Sequence, residues 1–112
     1  MTAAGSHTAW GGYGPVAAAK AALESYCRQF ALELAPRGIC TNAILAGVTK
    51  TPALDKIPGA QKLIDGAQAR NPFGRLTEPD DVARALVMLA GQDARWINGN
   101  ILRIDGGEDV CA

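Results

Sequence analysis

The chain has 112 residues and a mass of 11.6 kDa, with 11 basic and 11 acidic side chains for a formal net charge of zero, and it is 48% hydrophobic and 20% charged. This is the composition of an ordinary globular domain or part of one, and it excludes disordered and collagen-like classes. The scattered basic residues and the lack of an aromatic ladder exclude a nucleic-acid partner, and no apolar run approaches the ~20 residues of a membrane helix.

Met1 to Ala4 is short and apolar and leads into small residues (Gly5, Ser6, Gly11, Gly12), the pattern of a buried strand that has just ended. From about Pro15 to Leu34, the residues Val16, Leu23, Cys27, Phe30 and Leu34 recur at spacings of seven, four, three and four, which predicts one helix with a single apolar stripe. Pro15 suits the first helical turn, and Pro36 with Gly38 ends the helix. Its many alanines allow close approach to a neighbour and also favour helix in their own right. Ile39 to Leu45 reads as a buried strand running into an Ala46-Gly47 turn, and a loop with Thr49, Lys50, Thr51 and Pro52 follows.

Ala60 to Arg70 is predicted to be helical and closed by Asn71-Pro72, because a residue before proline is driven out of helical geometry. Thr77 is the expected cap of the next helix, with Pro79 and carboxylates in its first turn and Val82, Leu86, Met88 and Leu89 on its apolar face. Gly99 to Ile104 is the last strand, ended by Asp105-Gly106-Gly107. With no repeat and no linker, this order predicts one unit over residues 1–112, of class α/β, with about three parallel strands and right-handed crossovers.

Cys27, Cys40 and Cys111 are odd in number and widely spaced, so neither a disulfide framework nor a metal site is expected. Met1 to Trp10 lacks both the basic start and the apolar run of a signal peptide, and a cytoplasmic location is expected.

The residues that could carry chemistry are Tyr13 and Lys20, at the mouth of the long helix and just beyond a strand end, where open parallel sheets bind ligands. Seven helical residues turn about 700°, which puts both side chains on nearly one face, about 10 Å apart in rise. A nearby ammonium favours the phenolate and makes a tyrosine hydroxyl a better acid. Reduction of a polarised double bond needs such a donor, because hydride addition leaves charge on an oxygen that must be stabilised and protonated. A Tyr–Lys pair at this spacing also arises by chance, so the surrounding residues decide.

Those residues resemble the short-chain dehydrogenases/reductases over almost the whole chain. Thr2-Ala3-Ala4-Gly5-Ser6 is similar to the end of that family's fifth strand, and Tyr13 to Pro36 to its active-site helix. Arg37 to Ala43 is similar to its sixth strand, and Asn71 to Leu76, Glu78 to Ala83 and Gly99 to Gly107 to its closing third. Most members place the tyrosine four residues before the lysine, where this chain has Val16. The Tyr-x6-Lys spacing of Tyr13 and Lys20, with Ala46-Gly47 in place of Pro-Gly, resembles the enoyl-acyl-carrier-protein reductases.

The resemblance implies the C-terminal half of a Rossmann-like doubly wound sheet and the reduction of the 2,3 double bond of enoyl thioesters in fatty acid synthesis. It makes Tyr13 and Lys20 catalytic, with Lys20 also on the nicotinamide ribose. Gly47, Val48, Thr49 and Thr51 would lie by the nicotinamide and phosphates, although loop capping explains the threonines equally well. Thr51 to Arg70 would form a lid over the acyl chain. A second tyrosine common in this branch is replaced by Ala3; Ser6 and His7 are the nearby polar residues.

The glycine-rich βαβ unit that binds the pyrophosphate is absent from these 112 residues. NADPH or NADH is therefore the expected cofactor, with weak or no binding by this chain alone. The expected partners are an acyl thioester on acyl carrier protein, and either a second copy or a missing N-terminal half. The alternatives are a 3-oxoacyl-type reductase and a catalytically silent half-domain that serves as a dimerisation or interaction module.

Overall fold

The computed structural model describes residues 1–56 and 58–111. The chain forms two compact units, one of Met1–Leu45 with Met88–Leu102, the other of Ala46–Val87 with the residues from Arg103 onward.

Strand β1 (Ala43–Ala46) supplies the core of the first unit, with Ala43, Ile44 and Leu45 all buried and Leu45 only 2% exposed. Backbone groups buried this far must find partners within the protein. The Ala43 N–H donates to Asn100 O (2.8 Å), and on the opposite side Ile44 O accepts from the Thr2 N–H (2.8 Å). Gly47 N–H, at the far end of β1, donates to Ile104 O (3.2 Å), so β1 and β2 (Ile101–Ile104) advance together as a parallel pair. Thr2 forms a parallel bridge with Leu45. The strand expected over Met1 to Ala4 is thus represented by one bridging residue. The chain leaves the sheet because Ala4–Ser6 coil into a 3-10 turn, with the Ser6 and His7 amides donating to the Ala3 and Ala4 carbonyls.

β1 is also shorter than expected. Ile39 is 42% exposed, and just before Ala43 side chains interrupt the backbone ladder: Thr41 N–H donates to Asn98 Oδ1 (2.8 Å) and Asn42 Nδ2 to Ile97 O (2.7 Å), while Thr41 O still accepts from the Gly99 N–H (2.8 Å).

Helix α1 (Gly14–Leu34) runs to its expected end, where a 3-10 turn over Ala35–Arg37 stops at Gly38 with φ +74°. Its buried face is rotated from the expected stripe. Glu24, Cys27 and Ala31 are buried, whereas Val16 and Phe30 are each 43% exposed. The cause is how closely the backbone approaches: Asn98 Nδ2 donates to Ala31 O (2.9 Å), and a Cβ at Gly99 would lie 3.2 Å from the Ala31 methyl. Only small side chains fit there. Burial pushes the Cys27 thiol above its ordinary pKa, its sulfur lying 3.5 Å from Thr41 O.

In the second unit α2 (Ala60–Arg70) has its expected bounds, and Asn71 leaves it with extended angles (φ −70°, ψ 121°) before Pro72. Leu54, Ala67 and Val82 form the apolar core here. α3 (Pro79–Ala90) is not capped by Thr77, which is buried and forms a parallel bridge with Thr49. Glu78 stands just before the helix, and its N–H donates to Asp81 Oδ2 (2.8 Å), the reciprocal half of a capping box. Arg75 grips the same carboxylate at 2.7 and 2.9 Å. Of the apolar face expected for α3, Val82 is buried but Leu86 and Met88 are 47% and 63% exposed. Among the described residues no helix is long and apolar enough to cross a membrane.

Two outcomes are expected. Hydrogen bonds from Arg75, then from the Glu78 N–H, hold the Asp81 carboxyl down at about 2. A depressed carboxylate favours the folded state above its ordinary pKa of 3.8 and loses that contribution as pH falls towards the folded value. Asp81→Asn should therefore lower the neutral-pH melting point and flatten its decline between about pH 4 and pH 2; circular dichroism melts that keep the parent's acid slope would contradict this. Gly99→Ala, at φ +75° and against Ala31, should cost about 1–3 kcal/mol in urea unfolding.

Candidate functional site

Tyr13 precedes α1 directly, yet its backbone is already helical (φ −95°, ψ −1°) and its carbonyl accepts from the Ala17 N–H at 2.9 Å. It therefore shares the helical register of Lys20, and the two side chains leave one face of α1 about 10 Å apart along the axis. Both residues are half-buried. The Tyr13 ring stacks on Trp10 with centroids 4.3 Å apart, and it lies so close to Gly5 that any side chain there would overlap it. Gly5 to Trp10, with Tyr13, Gly14 and Ala17, line a cleft of about 340 Å³. No protein hydrogen bond engages the Tyr13 hydroxyl among the described residues. Lys20 does not line that cleft; its Nζ donates to Met1 O at 3.0 Å. Phenol and ammonium thus share a helix face and rest on the same N-terminal segment.

Sequence reasoning missed two residues of this neighbourhood. Trp10, which stacks on the tyrosine, carries no motif. Glu24, one turn beyond Lys20, is 8% exposed and accepts a hydrogen bond from Thr2 Oγ1. Burial alone would raise its pKa, but the Ser6 and Thr2 hydroxyls and the charges of His7 and Arg28 outweigh burial and hold it below the ordinary carboxylate value. Ser6 Oγ lies 3.2 Å from His7 Nδ1, and His7 lines the cleft. Nothing in the spacing of Glu24 distinguishes it from a surface glutamate on a helix.

In the second unit Gly47, Val48, Thr49 and Thr51, expected beside the cofactor, follow β1 as an irregular segment that bends at Val48 and bridges to Thr77 at Thr49. Val48 N–H donates to Glu108 Oε2 (3.0 Å), and Thr49 Oγ1 donates to Gly47 O (2.8 Å). Thr51 Oγ1 accepts from the Leu54 N–H (3.4 Å), so both threonine hydroxyls are used locally. Gly47 is required by packing, since a Cβ there would lie 2.5 Å from Thr77 Oγ1 and 2.8 Å from Glu108 Oε2. Glu108 is buried, reaches Arg70 at 3.6 Å, and was likewise not legible in the sequence. Asn71 Nδ2 ties the end of α2 to Asp105 O (2.9 Å). Of the stretch expected to act as a lid, Ile57 lies outside the described residues. Among the described residues no group of three or more His, Cys, Asp or Glu could hold a metal ion, and all three cysteines are free.

Comparison with known proteins gives this arrangement a family. A family model described as enoyl-(acyl carrier protein) reductase matches residues 1–108. A (2S)-[(R)-hydroxy(phenyl)methyl]succinyl-CoA dehydrogenase subunit of Thauera aromatica is 37% identical over 107 residues, covering 93% of this chain and 42% of that protein. A 3-oxoacyl-[acyl-carrier-protein] reductase of Thermotoga maritima is 36% identical over 91 residues, covering 81% and 36% respectively. The crystal structure of the enoyl-[acyl-carrier-protein] reductase (NADH) of Aquifex aeolicus superposes with a TM-score of 0.88 at 34% identity, over 99% of this chain and 43% of that one. The chain spans about two fifths of the length of these proteins. Its α/β architecture is part of their Rossmann-like fold, and the chain belongs to the enoyl-(acyl carrier protein) reductase family of short-chain dehydrogenases/reductases.

Proposed function

We propose that residues 1–112 are the closing part of a Rossmann-like domain in a cytoplasmic, NAD(P)H-dependent reductase of enoyl-acyl-carrier-protein thioesters. The observation that carries this reading is the Tyr13 hydroxyl, which lacks a protein partner among the described residues, sits on the wall of a cleft, and shares a helix face with Lys20. A phenol so placed can donate to a ligand oxygen.

The donor set suits the nicotinamide end of the cofactor. An ammonium has three N–H donors, and Met1 O takes one from Lys20, which leaves two for ribose hydroxyls. A reduced nicotinamide held there would supply the hydride that the β-carbon of the thioester takes up. As the electron pair of the double bond moves towards the thioester oxygen, Tyr13 Oη would hydrogen-bond that oxygen and deliver a proton to it, and the resulting enol would tautomerise to the saturated thioester as the α-carbon gains a proton and the oxygen loses one. The Trp10 ring restricts how the phenol can turn, and Lys20 adds positive charge on the same face.

The Thermotoga relative favours a second reading, 3-oxoacyl reduction, in which Tyr13 would protonate a ketone-derived oxygen instead. The exposed Val16, Tyr26 and Phe30 on α1 suit a third, a silent half-domain whose role is contact with another chain or a second copy.

Two experiments separate these readings. The 112-residue chain by itself should show no saturable NADPH or NADH binding at micromolar concentrations in calorimetry; micromolar affinity would refute the dependence on a preceding βαβ unit. For the chemistry, the chain can be joined behind the N-terminal part of the Aquifex aeolicus enzyme and assayed by nicotinamide absorbance. That chimera should turn over a crotonyl thioester, and Tyr13→Phe should slow it on the order of a hundredfold. Turnover confined to a 3-oxoacyl thioester would replace the enoyl reading, and undiminished turnover of the Phe variant would remove Tyr13 from the mechanism.

A further inference from the structure

Glu24 is a buried carboxylate to which the mechanism assigns no role, and its position is costly on its face. An apolar side chain could fill the place between Lys20 and Cys27 without removing a charge from water, and buried ions are commonly no better for stability than apolar replacements. What Glu24 has that an apolar residue lacks is directional bonding. Thr2, just before the Ala4–Ser6 turn, donates its hydroxyl to this carboxylate. The same segment meets α1 at two further points: Met1 O takes the Lys20 ammonium, and Gly5 receives the Tyr13 ring. The three attachments follow one face of the helix in order, Tyr13, Lys20 and Glu24, spaced by seven and four residues.

We propose that Glu24 is a positioning residue for the Tyr13–Lys20 pair: by fastening Thr2, at the entrance to the Ala4–Ser6 turn, to α1, it fixes the segment on which the phenol and the ammonium rest. The sheet bond from Thr2 N–H to Ile44 O sets the height of that segment, while the carboxylate sets its rotation about that bond. This inference rests on the reading of Tyr13 and Lys20 as the reacting pair, but its test needs neither substrate nor nucleotide.

The test uses the intact chain in a Trp96→Phe background, which leaves Trp10 as its only indole; Trp96 is 98% exposed, so its replacement disturbs no packing. Trace acylation with acetic anhydride, read by peptide mass spectrometry as the ratio of Lys20 to Lys62 modification, reports whether Lys20 is held. Acrylamide quenching of Trp10 emission reports the Tyr13 side. Glu24→Ala should raise the lysine ratio about fivefold, as loss of one net hydrogen bond implies, and should make Trp10 easier to quench. Glu24→Gln, whose carbonyl can still accept from Thr2, should restore both readouts. If Glu24→Ala does not fold, Thr2→Val, which keeps the backbone sheet bond and removes one hydroxyl, supplies the same comparison. A lysine ratio and a quenching constant equal to the parent's in a helical Glu24→Ala or Thr2→Val chain would overturn the proposal. That result would leave the reductase reading standing, whereas a dead chimera would remove the catalytic meaning of the pair and leave the measured placement intact.

Discussion

A strand buried on both faces imposes conditions on whatever lies beside it. In β1 the Ile44 carbonyl and the Ala43 amide have no access to water, and a buried backbone group left unpaired costs about 1–3 kcal/mol. Asn100 meets that demand on one side and Thr2 on the other. The bond from Thr2 N–H to Ile44 O holds the beginning of the chain extended alongside β1, and this in turn puts Met1 O within reach of Lys20 and the Ala4–Ser6 turn beneath Tyr13. A position in the candidate site is thus a consequence of one backbone hydrogen bond several residues away.

Helix α1 shows what close approach does to side-chain choice. Full burial of a phenylalanine is worth roughly 1.5–3 kcal/mol, and hydrophobicity alone would turn Phe30 and Val16 towards the sheet. The helix instead turns Ala31 and Cys27 inward, because Gly99 and the Asn98 side chain come up against the Ala31 backbone. The larger apolar residues are displaced to the exposed side, where Tyr26 and Phe30 stack on each other with centroids 5.8 Å apart. The same rotation that excludes Phe30 places Lys20 and Glu24 along the inner edge, where polar groups meet the backbone and hydroxyls of the first residues.

The features legible in the sequence are those decided within a few residues of themselves. Pro36 with Gly38, and Asn71 before Pro72, act through local backbone geometry, and the helix ends they predict are found. The common face of Tyr13 and Lys20 is also local, because it depends only on helical register. Features set by distant parts of the chain could not be read. The ends of β1 are decided by what Asn98 and Ile97 offer to Thr41 and Asn42. Thr77 has the chemistry of a cap, yet its backbone is drawn into a bridge with Thr49, and the role passes to Glu78 and Asp81. Glu24 and Glu108 look like solvated charges until their partners, 22 and 60 positions away, are known.

Those two glutamates answer the same physical problem in separate units. The segments they hold, Ala4-Gly5-Ser6 and Gly47-Val48, carry no large side chain, and their glycines must leave room for a tyrosine ring or for Thr77. A segment without large side chains has little apolar surface to bury, and burial is in any case non-directional, so packing cannot fix its orientation. Hydrogen bonds can, because they are sensitive to both distance and angle. A long acidic side chain reaching in from a helix or the final loop supplies two acceptor oxygens at a single point. Each carboxylate gives up water for bonds of nearly equal strength, which adds little to stability and much to the definition of one geometry. Segments with so little apolar surface have few other means of being held still.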